Sequence, residues 1–187
     1  MQNLHEISAL QKIRVNTSTI LRQLEVDDAA AMLAILDEDP SIRESVTAAA
    51  RMKDEVTFQE EVAFVNDSHD LLRYAIIHNG KIVGLLSFWR DGGYFATKPL
   101  PNTYGFGYFL ALSARGNGIV IKSLRKMMNV AVKSLEVTNF IAYCEDGNSS
   151  SAAVLQRNGF EATNSTYIEP KHGWVERRYI LVIAKQM

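Results

Sequence analysis

Apolar positions along this chain switch between helical and alternating spacing, and the switches divide it into elements. IRVNTSTILRQL reads as an irregular strand. Asp27 and Asp28 then stand as cap candidates before AAAMLAIL, a run of good helix formers. Pro40 in DEDPSIRES breaks that helix. Thr57 and Glu60 have capping-box spacing, which places FQEEVAFVND on a short helix.

Strand patterns follow. LLRYAIIHNGKIVGLLSFW holds two apolar, partly β-branched runs that meet at Asn79-Gly80, the signature of a tight hairpin. Beyond the Gly/Pro-rich DGGYFATKPLPN, TYGFGYFLAL reads as another strand. IVIKSLRKMMNVAVKSL places Val120, Leu124, Met127, Met128, Ala131 and Leu135 at helical spacing, with Lys122, Arg125, Lys126 and Lys133 off that face. NFIAYCE is a short buried-type strand, and SSAAVLQRN a helix that Gly159 ends as a left-handed cap. FEATNSTYI and VERRYILVIAK are two final strands. The order (strand, helices, three or more strands, helix, strand, helix, two strands) predicts an α/β or α+β fold around a mixed sheet.

Composition narrows this picture. A chain of 187 residues with 47% hydrophobic content fits one domain, 1–187, with the first dozen residues expected as a loose arm. A net charge of -1 lacks the electrostatic footprint of a duplex-binding protein, so nucleic acid is excluded as the main partner. The lone Cys144 cannot form an internal disulfide, and no Cys/His cluster has metal-site spacing, so no metal is expected. The N-terminus is too polar for a signal peptide, and no apolar run approaches the roughly 20 residues of a membrane span. A soluble, cytoplasmic protein is expected.

Chemistry concentrates at Ala114-Arg115-Gly116-Asn117-Gly118, between a strand and a helix. Glycines let backbone approach an anion closely, and a helix start offers free N–H groups and a favourable dipole. The plainer reading is that both glycines only turn the chain. Ile121 stands where the dinucleotide fingerprint requires a third glycine, and the Gly-Lys-Ser/Thr of the Walker pattern is absent. What remains is an anionic ligand held by Arg115 and the amides of residues 116 to 120.

Here the sequence resembles the GNAT-type N-acetyltransferases, whose acetyl-CoA motif is Gln/Arg-x-x-Gly-x-Gly/Ala between strand four and the following helix. Arg115-Gly116-x-Gly118 fits its core. NSSSAAVLQRNGF matches the more specific Asn-x-x-Ser-x-x-Val-Leu-x-x-x-Gly-Phe through Asn148, Ser151, Val154, Leu155, Gly159 and Phe160. The likeness extends to LRQLEVDDA, GKIVGLLSF and GYFL, and is strongest to the branch that acetylates ribosomal-protein N-termini beginning with serine or alanine. Departures are Ser113, where the motif has Gln or Arg, and Ile121-Lys122, where this branch often has Thr-Glu.

The resemblance implies a GNAT fold, a mixed, mostly antiparallel central sheet flanked by helices and splayed between strands four and five. It implies acetyl-CoA as cofactor and an amine acceptor, a protein N-terminus or a small amine such as a polyamine or aminoglycoside. A non-catalytic acyl-CoA-binding module is the alternative of another class. Related enzymes make a homodimer consistent with the resemblance. The backbone of Phe109, Leu110 and Leu112 is expected against the pantetheine arm, with Arg115, Gly116, Asn117, Gly118, Ile119 and Val120 around the pyrophosphate. Asn148 is implied as a cofactor contact or orienting group. Lys122 and Lys126 read as a solvated face, with a coenzyme phosphate as the alternative.

An α-amino group has a pKa of about 7.7 to 8.0, far below the lysine value of about 10.4, so a modest base suffices for a protein N-terminus. The resemblance implies Ser151 as acid for the coenzyme sulfur, Glu169 as base and the backbone N–H near Leu110 as oxyanion donor. Read alone, Ser151 is a helix-start hydroxyl and Glu169 a surface charge. Cys144 reads as a small buried thiol. Tyr143 and Tyr167 read as packing residues with a cleft role as alternative, His172 as exposed, Trp89 as core and Trp174 as a rim aromatic.

Overall fold

Asn79 and Gly80 both adopt positive φ, 50° and 77°, the combination that reverses a chain in two residues while matching strand twist. The hairpin so closed joins β3 (Leu71–His78) to β4 (Lys81–Arg90), paired from Leu71↔Trp89 to His78↔Lys81. The computed structural model describes residues 3–90, 101–168, 173 and 175–183. Among these, the hairpin sits inside a single sheet with β1 (Lys12–Arg14), β2 (Thr19–Gln23), β5 (Thr103–Leu110), β6 (Asn139–Glu145), β7 (Glu161–Ile168) and β8 (Val175–Val182). The strand order is β1-β2-β3-β4-β5-β6-β8-β7.

Every neighbouring pair is antiparallel except β5 and β6. A parallel pair needs a crossover, which α5 (Ile119–Ser134) supplies. Pairing of β5 with β6 runs only from Thr103↔Asn139 to Phe106↔Ala142. Beyond those residues the strands separate, leaving Gly107 to Leu110 facing Tyr143 to Glu145 across a gap. This is the expected splay, between the fifth and sixth strands of this chain.

The other helices are α1 (Ala29–Glu38), α2 (Ser41–Ser45), α3 (Thr47–Arg51), α4 (Glu55–Asp67) and α6 (Ser149–Arg157). Cross-strand register gives the sheet two faces. Tyr74, Leu86 and Tyr108 share one, with Phe88, Phe106 and Phe140, whose successive ring centroids lie 5.3 Å apart. The predicted apolar stripe of α5 is buried, and Leu135 follows as its C-cap. Arg73, Ser87 and Gly107 share the opposite face, where Arg73 forms an ion pair with Glu61 of α4.

Three local expectations are corrected. Residues 3–11 are no loose arm: two 3-10 turns, Leu4–Glu6 and Ser8–Leu10, bury Leu4, Ile7 and Leu10. The buried Tyr74 hydroxyl donates to the Leu10 carbonyl at 2.6 Å and so ties the segment to the sheet. The α4 capping box is Asp54/Thr57, one turn before the expected one. Asp54 is extended and accepts the Thr57 N–H, while the Thr57 hydroxyl accepts the Asp54 N–H. Before α1, Val26–Asp28 forms a 3-10 turn, and the Asp28 carboxylate reaches back to Arg22 and the Glu25 N–H instead of capping forward.

Candidate active site

The strand-to-helix turn opens with a 3-10 segment, Leu112–Ala114, and closes with Gly116 and Gly118 at φ 79° and 67°. Such angles strain any side chain, which explains glycine at both positions. A Cβ at either would meet nothing within 4 Å, so the turn's backbone lies open. Gly118 is the α5 N-cap and offers no side-chain acceptor, so the N–H groups of the first helical turn have no side-chain cap among the described residues. Asn117 braces the turn through Nδ2 donating to the Arg115 carbonyl at 3.2 Å. Ile119 and Val120 are buried and anchor the helix start. An open, glycine-lined backbone with uncapped amides fits a diphosphate.

The arginine does something other than its motif position implies. The Arg115 guanidinium donates to the Leu110 carbonyl from Nε at 3.1 Å and from Nη2 at 3.0 Å, and pairs with Asp39 at 2.6 Å. Hydrogen bonds to Ser41, then to Arg115, hold the Asp39 carboxyl below the usual carboxylate range. Arg115 thus binds the end of β5 to the α1–α2 connection, and its backbone is what remains for an anion.

Strand alternation sorts the neighbouring backbone. The Ala111 N–H donates to the Val83 carbonyl on β4, so the N–H and C=O of Leu110 face the other way, toward the gap. Phe109 lies opposite Leu85 and turns its polar backbone groups to β4. Of the strand residues expected against a pantetheine arm, Leu110 therefore faces the gap and Phe109 does not. Leu112 opens the 3-10 segment with its side chain exposed.

Across the gap, Asn148 caps α6: its Oδ1 accepts the Ser151 N–H at 3.0 Å. The Ser151 hydroxyl is thereby spared the capping role and lies 2.8 Å from the Tyr108 hydroxyl on β5. Either oxygen can donate. Burial, partly offset by the bond to Ser151, pushes the Tyr108 phenol up to about 12. Cys144 is buried beside them, with Sγ 3.5 Å from the Glu145 and Asn148 carbonyls, and burial raises its thiol. A buried, protonated thiol is a poor nucleophile. Tyr108 escaped sequence reasoning; strand alternation put it on the Phe106 face, but nothing local named its partner.

On the opposite face, the Trp89 ring covers Gly105 and Gly107, where a Cβ on Gly105 would stand 2.2 Å from the indole. Tyr143 and Tyr167 meet edge to face, with centroids 6.1 Å apart. Glu169, His172 and Trp174 lie outside the described residues. No group of His, Cys, Asp and Glu among the described residues is arranged to hold a metal ion. Nor is any described helix long and apolar enough to cross a membrane.

Residues 18–161 match the family model of the acetyltransferase (GNAT) domain. Over 87 residues the chain is 31% identical to the ribosomal-protein-serine acetyltransferase of Escherichia coli (strain K12), a match covering 46% of this chain and 45% of that protein. The alignment thus spans about half the length of that curated relative. Among solved structures, a ribosomal L7/L12 alpha-N-protein acetyltransferase in complex with coenzyme A superposes with a TM-score of 0.79 at 21% identity, over 92% of this chain and 98% of the other. An aminoglycoside acetyltransferase in complex with coenzyme A gives 0.72 at 19% identity, over 88% and 95%. At these identities the superpositions speak for the fold.

Proposed function

The chain belongs to the GNAT acetyltransferase family, and we propose that it moves the acetyl group of acetyl-CoA onto the α-amino group of a protein N-terminus such as that of a ribosomal protein. One observation carries this reading: the Tyr108–Ser151 hydroxyl pair joins β5 to α6 where β5 and β6 have separated. Acetyl-CoA would supply the activated acyl thioester. The amides of residues 116 to 120 would hold its diphosphate, and the gap side of Leu110 its acyl arm.

The chain's own groups then have separate tasks. The Leu110 N–H faces the gap and donates to an acyl oxygen, a role worth about 3 kcal/mol at other acyl-transfer sites. Arg115 holds the carbonyl of the same residue and keeps that N–H aimed. Ser151 donates a proton to the sulfur side of the gap, with Tyr108 donating to the serine oxygen as it does so. Asn148 orients Ser151 through its backbone. Glu169 is proposed as the base. An α-amino acceptor titrates near neutrality, so direct attack needs no acyl-enzyme.

The 31% identity to a ribosomal-protein-serine acetyltransferase supports the choice of a protein N-terminus. Thiol release from acetyl-CoA, measured against N-terminal peptides, polyamines and aminoglycosides, tests it. Turnover with serine- or alanine-led peptides is the expected result. Turnover only with small amines overturns the acceptor, and cofactor binding without acceptor-dependent thiol release overturns the enzyme.

A further inference from the structure

Two consecutive arginines on β8 are treated differently by the fold. Arg177 is fully engaged: Nε and Nη2 pair with the two Asp146 oxygens at 2.9 Å and 3.0 Å, and Nη1 donates to the Thr163 carbonyl. Arg178 makes no ion pair or side-chain hydrogen bond among the described residues, yet its Nε and Nη2 atoms are buried. These nitrogens form one edge of the guanidinium, with two parallel N–H donors matched to the two oxygens of a carboxylate. Burying such an edge without a partner is costly, and fully buried charged donors are normally satisfied.

Its setting is the β5–β6 gap. Arg178 lies in register with Tyr143, the first β6 residue beyond the last β5–β6 pair, and so shares the face of Tyr143 and of Gly107 under Trp89. The Tyr108–Ser151 pair and Cys144 occupy the other face. The β7 backbone bulges at this point: Ala162 pairs with Tyr179 and Thr166 with Arg177, leaving Thr163, Asn164 and Ser165 opposite Arg178 alone. The Thr163 hydroxyl holds the distortion by donating to the Arg178 carbonyl at 3.0 Å. Bulges of this kind re-aim side chains beside active sites.

We propose that Arg178 is a specificity residue that binds a carboxylate of the acceptor through its Nε/Nη2 edge, so that this chain prefers acceptors carrying an acid close to the reactive amine. The proposal rests on the acyl-transfer reading of the gap. The carboxylate has two sources, an acidic side chain near a protein N-terminus or the terminal carboxylate of a very short peptide or amino acid.

Two measurements test it. In the first, kcat/KM is determined for serine-led peptides with Asp or Glu at the second, third or fourth position against their Asn or Gln counterparts, all amidated at the C-terminus. Free and amidated dipeptides form the second arm. The expected acid-to-amide ratio is about tenfold or more in one arm, which identifies the source, and it falls to about one in Arg178→Gln. Arg178→Lys, which keeps charge without the fork, retains only part of it. In the second, the N-acetylated products of the same peptides are titrated into the CoA-loaded protein by calorimetry, which needs no turnover. A ratio near one in the unmodified protein, or a preference that Arg178→Gln leaves intact, overturns the proposal. Absent thiol release with a preserved acid preference in the titration overturns the acyl-transfer reading and leaves the carboxylate subsite standing.

Discussion

The hydroxyl oxygens of Tyr108 and Ser151 lie 2.8 Å apart although 43 positions separate them in the chain. Acting as one unit, they give a specific kinetic pattern. Ser151→Ala is expected to lower kcat by about a hundredfold, at the lower end of the range for a proton-transfer group, and Tyr108→Phe by about tenfold, as a supporting donor. The acetyl-CoA KM should change little. The double variant should be no slower than Ser151→Ala, and steady-state rates of the four proteins check this; independent, multiplying losses would separate the two residues.

Tyr108 also predicts the alkaline limit of stability. Its pKa in the folded chain, about 12, stands above the ordinary tyrosine value of about 10. Between these values the unfolded chain has lost the proton that the folded chain still holds. Stability is therefore intact below about pH 10 and falls as pH rises toward 12. Tyr74, buried further, shifts in the same direction. Denaturant unfolding at pH 9 and pH 11 should show a steeper loss for the unmodified protein than for Tyr108→Phe.

At the turn, Gly116 and Gly118 are constrained by φ and not by neighbours. Gly118→Ala should cost about 1–2 kcal/mol of backbone strain, a fall of a few degrees in Tm. Gly116→Val should weaken acetyl-CoA by about tenfold or more, because its side chain projects into open space where the diphosphate would sit. Calorimetric titration with CoA, beside thermal melts, separates the two effects. Unchanged affinity in Gly116→Val would remove the turn from the cofactor site.

For Arg115, the discriminating substitution is lysine. The guanidinium grips the Leu110 carbonyl with two donors and Asp39 with one, so shape matters more than charge. Arg115→Lys is expected to lose nearly as much kcat/KM for acetyl-CoA as Arg115→Ala, about five- to tenfold, within the scale of lost positioning. A lysine variant close to the unmodified protein would instead favour a direct phosphate contact.

The glycines of β5 make a packing prediction. A Cβ on Gly105 would stand 2.2–2.5 Å from Trp89 ring atoms, so Gly105→Ala must displace the indole, at about 1–3 kcal/mol. In a Trp89→Leu background the same change should cost much less. Denaturant midpoints of the four proteins measure the coupling directly.

Much of this architecture was legible in the chain. Periodicity and turn chemistry reach only a few residues, which is why the Asn79-Gly80 hairpin, the α5 stripe and the Asn148-to-Gly159 spacing could be read locally. The N-terminal segment was misjudged because its sparse Leu4, Ile7 and Leu10 gain meaning only against Tyr74, 64 positions from Leu10. The α4 cap was misplaced for a more local reason, two competing boxes sharing Thr57.

The sequence by itself determined the order of elements, the glycine turn at a helix start and the residue types of the site proposed for acyl transfer. Tertiary structure decided the partners. It set Ser151 against Tyr108, turned Arg115 to Asp39 across 76 positions, and separated β5 from β6 after Phe106. It also left one edge of Arg178 buried without a hydrogen-bond partner among the described residues. The physical reason is register: which side chains meet depends on how strands distant in sequence align, and a one-residue slip would send each of them to the other face.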